Sequence, residues 1–193
     1  MTNPKIVLVN GPPRSGKDTA QTYIDNSVRL KFAEPLKEGA HRLFGLDLKS
    51  YPMDAFENNK DEPSDLFFGR TPREVYISCS ENLMKPATGD EGIFGHILSR
   101  KIKLIHSFEE NVNPLYVITD SGFRQEAEVI VDNFGSENIL LIRLHREGFD
   151  YKKDSRGYIE LSDLGVETID IKNNNIYQFK NDIVRAVDGW RYA

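Results

Sequence analysis

The chain is poor in the residues that staple or metallate a small protein. Cys79 is its one cysteine, which excludes an intrachain disulfide and a cysteine-rich zinc module. The four histidines, His41, His96, His106 and His145, lack metal-ligand spacing and read as surface or helix-face residues. No apolar run approaches the roughly 18 residues that cross a bilayer. The first residues pass straight from a charged stretch into a strand-like one, so neither a membrane span nor a signal peptide is expected, and a soluble cytoplasmic protein is. Positive charge is not in excess either: 25 Lys+Arg against 30 Asp+Glu give a net charge of −5. That balance argues against a protein that coats long nucleic acid, while leaving room for a small basic pocket. Internal repeats and low-complexity tracts are also absent.

What is present is a core and an alternation. Of 193 residues, 39% are hydrophobic, enough for one compact domain at about 150 residues per domain. Short β-branched runs, Lys5 to Asn10, Arg29 to Phe32, Tyr116 to Thr119, Ile139 to Leu144 and Val166 to Ile171, read as buried strands. Helical patterns separate them: 16–26; 34–44 with Leu36, Ala40, Leu43 and Phe44 on one face; a stripe from Ile93 to Phe108; Ala127 to Phe134, stopped by Gly135; and Ile176 to Trp190. Cys79 falls in step with Val75 and reads as core. Thr71-Pro72-Arg73-Glu74 is a helix start with a capping box. Residues 45–70 lack periodicity and read as a long mobile loop or flap. Strands alternating with helices imply a parallel α/β sheet covered on both faces.

The most informative stretch is Gly11-Pro12-Pro13-Arg14-Ser15-Gly16-Lys17-Asp18-Thr19. It fits G-x-x-x-x-G-K between a strand and a helix, the context a phosphate-binding loop requires. Glycines let successive backbone N–H groups curl round phosphate oxygens, the helix start adds partial positive charge, and the lysine reaches the β- and γ-phosphates. Gly11, Arg14, Ser15, Gly16, Lys17, Asp18 and Thr19 are therefore the nucleotide-binding candidates. Asp18 stands where Ser or Thr usually ligates magnesium, with Thr19 displaced by one. Its carboxylate either holds magnesium directly or through water, orients an acceptor, or is a first-turn acid favoured by the helix dipole.

The string Arg14 to Thr19 resembles the variant loop of bacteriophage deoxynucleoside monophosphate kinases, and animal-type phosphomevalonate kinases carry a similar Ser-Gly-Lys-Asp loop. Lys31-Phe32-Ala33-Glu34-Pro35-Leu36-Lys37 resembles the segment after the second strand in both families. Gly69-Arg70-Thr71-Pro72-Arg73-Glu74, Val117-Ile118-Thr119-Asp120 and Leu141-Ile142-Arg143 match phage-kinase segments in order, from residue 5 to about 175. The resemblance implies a three-layer P-loop NTPase fold, nucleoside-monophosphate-kinase-like, and an enzyme using ATP and magnesium to phosphorylate deoxynucleoside monophosphates (in the host cytoplasm for a viral chain). It implies a single kinase domain over 1–193 with an acceptor-binding flap over about 34–92 and a lid over about 146–163. Many of the phage kinases have Asp-x-Arg after the later strand. Here Asp120-Ser121-Gly122 stands instead, so Arg124, or Arg70 and Arg73, must do that arginine's work.

Asp120, at a strand's carboxyl end, is a magnesium candidate with Asp18 and Thr19, or a turn-making aspartate. Lys37 and Arg73 sit near helix starts, where an anionic ligand offsets their clash with the dipole. With Arg70 and Arg124 they are the acceptor-phosphate candidates. Arg143, Arg146, Lys152, Lys153 and Arg156 bring five positive charges into 14 residues, the composition of a lid closing over a triphosphate. Arg146 is thereby a nucleotide-binding candidate, and Lys17, Asp18, Arg73, Asp120 and Arg143 are the catalytic ones. Phe44, Phe67, Phe68 and Tyr76 stack on a base or simply pack. The expected partners are ATP and a deoxynucleoside monophosphate, with no long nucleic acid, no membrane, and a homodimer left open. Two rivals remain: a kinase for another small phosphorylated metabolite such as phosphomevalonate, and an ATP-hydrolysing switch module.

Overall fold

A computed structural model describes residues 3–108, 114–152 and 156–192. In chain order the elements are β1 (Ile6–Asn10), α1 (Lys17–Gln21), β2 (Ser27–Leu30), α2 (Glu34–Leu43), α3 (Pro72–Ser78), α4 (Lys85–Thr88), α5 (Ile93–Phe108), β3 (Leu115–Ile118), α6 (Arg124–Phe134), β4 (Ile139–His145), β5 (Glu167–Lys172) and α7 (Ile176–Arg191). The chain divides into two compact units, residues 33–94 and the remainder.

The larger unit is built on a five-stranded sheet in the order β2-β3-β1-β4-β5, with every pair parallel. Parallel strands need covered faces, and alternation sorts the side chains between them. Val7, Val9, Val117, Leu140, Ile142 and Leu144 share one face with Ala20 of α1 and Phe179, Ile183, Val187 and Trp190 of α7. Ile6, Leu8, Tyr116, Ile118 and Leu141, on the opposite face, are also fully buried. His106 of α5 meets the Tyr116 ring on that face at 6.2 Å. α5 lies so close to α6 that a Cβ on Gly95 would sit 2.6 Å from the Glu126 carbonyl oxygen. The result is the expected three-layer α/β fold, with a strand, the G-x-x-x-x-G-K loop and a helix in succession.

Several local expectations shift. α1 stops at Gln21 rather than running to residue 26. Tyr23 and Ile24 close only i→i−3 bonds, to Ala20 and Gln21, while the Thr22 hydroxyl bonds back to the Thr19 carbonyl. β2 accordingly begins at Ser27 and ends at Leu30, and the Phe32 N–H donates to Asp120 rather than to a ladder. Phe108, placed on a buried stripe by its spacing, is 82% exposed. His106 is buried instead of lying at the surface.

Residues 33–94 carry their own apolar cluster: Ala40, Leu46, Phe67, Val75 and Tyr76, with Leu36, Phe44, Phe56 and Cys79 at its edge. The stretch 45–70 is therefore packed structure, with short 3₁₀ turns at Met53–Phe56 and Asp65–Phe67. Leu46, Phe56 and Phe67 anchor it, and residues without periodicity can still form a core when their contacts come from irregular turns. Phe44, Phe67 and Tyr76 pack there, whereas Phe68 is 85% exposed at positive φ. Leu43, assigned by periodicity to the buried face of α2, is exposed, and His41 takes its place in the core. His41 Nε2 lies 2.8 Å from the Tyr76 hydroxyl. Burial pushes the histidine's pKa down, against a backbone contact from Tyr51, and the nearby Lys37 charge lowers it further. The Thr71–Glu74 capping box forms as expected, with bonds of 3.1 and 2.9 Å. After α3 the helix widens into a π turn at Cys79–Met84, just ahead of Pro86, which has no N–H to give. Burial pushes the Cys79 thiol pKa up. No helix among the described residues is long and apolar enough to cross a membrane.

Candidate functional site

The loop from Gly11 to Lys17 follows β1 at the carboxyl end of the sheet, where open α/β sheets bind ligands. Gly16 has φ +102°, a conformation side chains rarely adopt, and a Cβ there would run into the Asn173 amide. A Cβ on Gly11 would lie 2.6 Å from Ser15 Oγ and 3.0 Å from the Leu144 carbonyl oxygen. Both glycines are thus demanded by close backbone approach. Asn173 Nδ2 donates to the Ser15 carbonyl at 2.8 Å, and Arg146 Nη1 to the Arg14 carbonyl at 2.8 Å. Lys17 folds back so that Nζ donates to the Gly11 and Pro12 carbonyls at 2.6 and 2.8 Å. Ser15 Oγ is buried and makes no hydrogen bond. α1 has five residues, so the macrodipole of so short a helix adds little, and positive potential at the loop comes mainly from its amides and Lys17.

Asp18 points toward the β2–β3 side of the sheet. Its Oδ1 accepts from Arg29 at 2.8 Å and from the Thr119 hydroxyl at 3.1 Å, with Lys31 Nζ at 3.6 Å. Asp120, one residue beyond Thr119, accepts the Phe32 N–H at 2.8 Å. Thr19 is exposed. Carboxylate and hydroxyl oxygens are the hard donors magnesium prefers, and the ion commonly takes one or two carboxylates plus substrate phosphates. The donor set at Asp18, Thr19 and Asp120 fits that pattern. No group of three His, Cys, Asp or Glu gathers as a self-sufficient metal cage among the described residues.

Of the remaining basic candidates in this unit, Arg143 and Arg124 hold carboxylates. Arg143 clamps Asp170 of β5 at 3.0 and 2.6 Å and also pairs with Glu160. His145 joins Asp170 at 2.5 Å and stacks on Tyr158 at 4.6 Å. The Arg143 bond, against a smaller effect of burial, holds the Asp170 carboxyl below its ordinary range, with His145 adding to it. Arg124 pairs with Asp163 at 3.0 and 2.6 Å and with Glu128 at 2.7 Å, and its guanidinium also reaches the Glu160 carbonyl. The stem of Arg156 crosses Gly122 so closely that a Cβ there would meet its Cγ at 2.8 Å. That packing gives a physical reason for glycine after Asp120-Ser121. Of the lid tract, Lys153 and Asp154 lie outside the described residues. Ile159 and Leu161 are buried, while Arg146, Glu147, Gly148, Asp150 and Lys152 are exposed before them and Tyr158, Glu160, Ser162 and Asp163 are exposed around and after them.

Within residues 33–94, Lys37 pairs with Glu57, which also takes Lys60 at 3.1 Å. Burial pushes the Glu57 carboxyl up, but the bonds and charges of Lys37 and Lys60 outweigh it and hold the pKa at about 2. Arg73 pairs with Asp61 at 2.5 and 3.3 Å, and its backbone N–H bonds to the Lys60 carbonyl. Lys37 and Arg73 therefore belong to one polar cluster. Arg70 is exposed, its backbone bridged to Ser64.

No protein-family model matches the chain, and no curated protein matches it. Among solved structures, a thymidylate kinase from Candida albicans aligns over 98% of this chain and 93% of its own, at 12% identity and a TM-score of 0.42. A likeness that distant carries no weight for function.

Two structural participants lay outside the sequence reading. Asn173 supports the Gly11–Lys17 loop from just past β5. Asn10, fully buried at the end of β1, donates to the Ser121 and Gly157 carbonyls at 2.6 and 2.9 Å and accepts the Ile159 N–H at 3.3 Å. A signal existed for each: an asparagine closing an otherwise apolar strand, and a run of three asparagines between β5 and α7. The last of the three, Asn175, caps α7.

Proposed function

We propose that this chain is a magnesium-dependent kinase that transfers a phosphoryl group from ATP to a deoxynucleoside monophosphate. The observation that carries the reading is the loop itself. Side chains tie its carbonyls, Gly11 and Gly16 bring its backbone close, the buried Ser15 hydroxyl makes no bond, and Lys17 rests on its rim.

The loop from Gly11 through Thr19 holds the triphosphate, and Lys17 leaves the Gly11 and Pro12 carbonyls to follow the β- and γ-phosphates. Asp18, Thr19 and Asp120 would hold magnesium, directly or through water, and the ion would neutralise phosphate charge. Arg146, in a lid over about 146–163, adds positive charge and excludes water, and Arg143, near the end of β4 just ahead of that tract, adds its own charge. Residues 33–94 serve as the acceptor unit, where Lys37, Arg70 and Arg73 take the acceptor phosphate by exchanging Glu57 and Asp61 for it. Arg124 takes a phosphate only by giving up Asp163 and Glu128. An acceptor phosphate oxygen is already nucleophilic, so positioning and charge neutralisation carry the catalysis without a strong general base.

A coupled assay with ATP, magnesium and each deoxynucleoside monophosphate tests this reading. Diphosphate product is expected from at least one of them. ATP hydrolysis that needs no acceptor, or turnover confined to a phosphorylated metabolite of another class, overturns it.

A further inference from the structure

Asp18 is an odd residue to find beside a polyphosphate site, because it adds a negative charge where negative charge must land. The structure surrounds it with cations. Arg29 and Lys31 both reach the same carboxylate oxygen, at 2.8 and 3.6 Å, while the Thr119 hydroxyl donates to it at 3.1 Å. Arg29 lies on β2, the edge strand of the sheet, and Lys31 directly follows that strand. Ser27 lies in the same i, i+2 row and takes the Gln21 amide of α1 at 3.2 Å. One row of β2 therefore grips two polar residues of α1, the exposed Asp18 and the half-buried Gln21. Taken together, Asp18, Arg29 and Lys31 sum to one positive charge. The Asp18 side chain is 61% exposed, so water alone would leave its charge acting over a Debye length of about 8 Å at physiological salt.

We infer that Arg29 and Lys31 are positioning residues for the phosphate site: they neutralise Asp18 and hold its carboxylate toward Thr119, so that the loop meets an incoming nucleoside triphosphate with net positive charge. The inference rests on the reading of the loop as an ATP site and adds two residues to it. Neither cation need touch the nucleotide. Each acts through Asp18, and the edge strand thereby sets the charge of a loop two strands away in the sheet order β2-β3-β1.

The test is binding of ATP to the full chain by calorimetry, with EDTA present and no acceptor, so that neither metal ligation nor turnover enters. Arg29→Ala weakens ATP about fivefold to tenfold at low salt, and the loss shrinks as salt is raised. Arg29→Lys stays within about threefold of the wild type, because charge rather than fork geometry is what Asp18 needs. The decisive variant is the double substitution Asp18→Asn with Arg29→Ala. With no carboxylate left to neutralise, it binds ATP within about twofold of Asp18→Asn alone, a coupling between the two positions that a merely structural role for Arg29 does not give. Should Arg29→Ala fail to fold, Lys31→Ala, at the longer distance, shows a loss of the same sign of about twofold to fivefold. Arg29→Ala or Lys31→Ala binding like the wild type overturns the inference, as does a loss from Arg29→Ala as large in the Asp18→Asn background as in the wild type. A wild type that does not bind ATP overturns the phosphate-site reading and this inference together, whereas a wild type that binds alongside an unaffected Arg29→Ala overturns this inference alone.

Discussion

The side chains that hold the Gly11–Lys17 loop land on carbonyl oxygens: Asn173 on Ser15, Arg146 on Arg14, Lys17 on Gly11 and Pro12. Within residues 33–94 the candidate anion-binding side chains land on carboxylates instead: Lys37 on Glu57, Arg73 on Asp61. The difference is one of electrostatic starting point. Tying carbonyls leaves the amide side of the loop to a phosphate, so an anion adds contacts without displacing a charge. A cation already paired with a carboxylate must exchange one anion for another, and its affinity is the small difference between two large interactions. On the proposed reading the loop is poised for polyphosphate and the second unit for exchange, with a response that depends on salt and pH.

The comparison breaks most visibly if the two units are not separable in stability. Phe67 is fully buried and meets His41, Phe44, Phe56 and Tyr76 at ring distances of 5.1 to 6.2 Å. Phe67→Ala costs about 3–5 kcal/mol. Hydrogen exchange should show that cost as faster exchange of amides in residues 33–94, with β1, β3 and β4 keeping their protection. An equal loss of protection in the strands would mean that one cooperative core serves both units.

Lys17→Ala comes next. It removes the charge that the proposed reaction needs at the transferring phosphoryl group, and turnover falls about a hundredfold or more, equivalent to roughly 3 kcal/mol of barrier. Steady-state rates with the acceptor saturating measure it. An unchanged rate removes the loop from the chemistry.

Asn173→Ala sharpens the comparison on the loop's side. It leaves the Ser15 carbonyl without its side-chain donor, at a net cost of about 1 kcal/mol, so ATP binds roughly fivefold more weakly. Affinity equal to the wild type would mean that Arg146 and the Gly11–Leu144 approach suffice to shape the loop. Asn173 also marks where the sequence stops being legible. The strand, the G-x-x-x-x-G-K spacing and the following helix are local in sequence, and all three are found in the structure. The buttress comes from 158 residues away, and no local pattern announces such a contact. Glycine in the loop could be read from the motif, but not that Gly16 is pressed by Asn173 in particular. The same limit explains residues 45–70. Periodicity reports only regular elements, and Phe67, buried through a 3₁₀ turn, has no period to betray it. His41 is buried for a similar reason: its partner, the Tyr76 hydroxyl, lies 35 residues on, and a paired histidine sits in a core where an unpaired one would not.

The smallest effect tests the exchange side of the comparison. The Glu57 carboxyl, pushed up by burial but held more strongly down by Lys37 and Lys60, has a folded-state pKa of about 2 against an ordinary 4.5. A group lowered on folding contributes stability in full above its unfolded value and loses it as pH falls through the folded one. The Glu57 contribution is therefore complete above about pH 5 and fades between the ordinary 4.5 and about 2. The pair is partly open to water, with side-chain exposures of 18% for Lys37 and 32% for Glu57, so the gain is screened and small. Urea unfolding of the wild type and Glu57→Gln at a series of pH values isolates it. Asp61, held below its ordinary range mainly by its bond to Arg73, titrates in both proteins and cancels in the difference. The stability gap between the two should narrow steadily as pH falls from 5 toward 3. A gap independent of pH would mean that Lys37 and Glu57 gain nothing from their charges in the folded protein. In that case Lys37 is not committed to Glu57, and an acceptor phosphate has no carboxylate to displace.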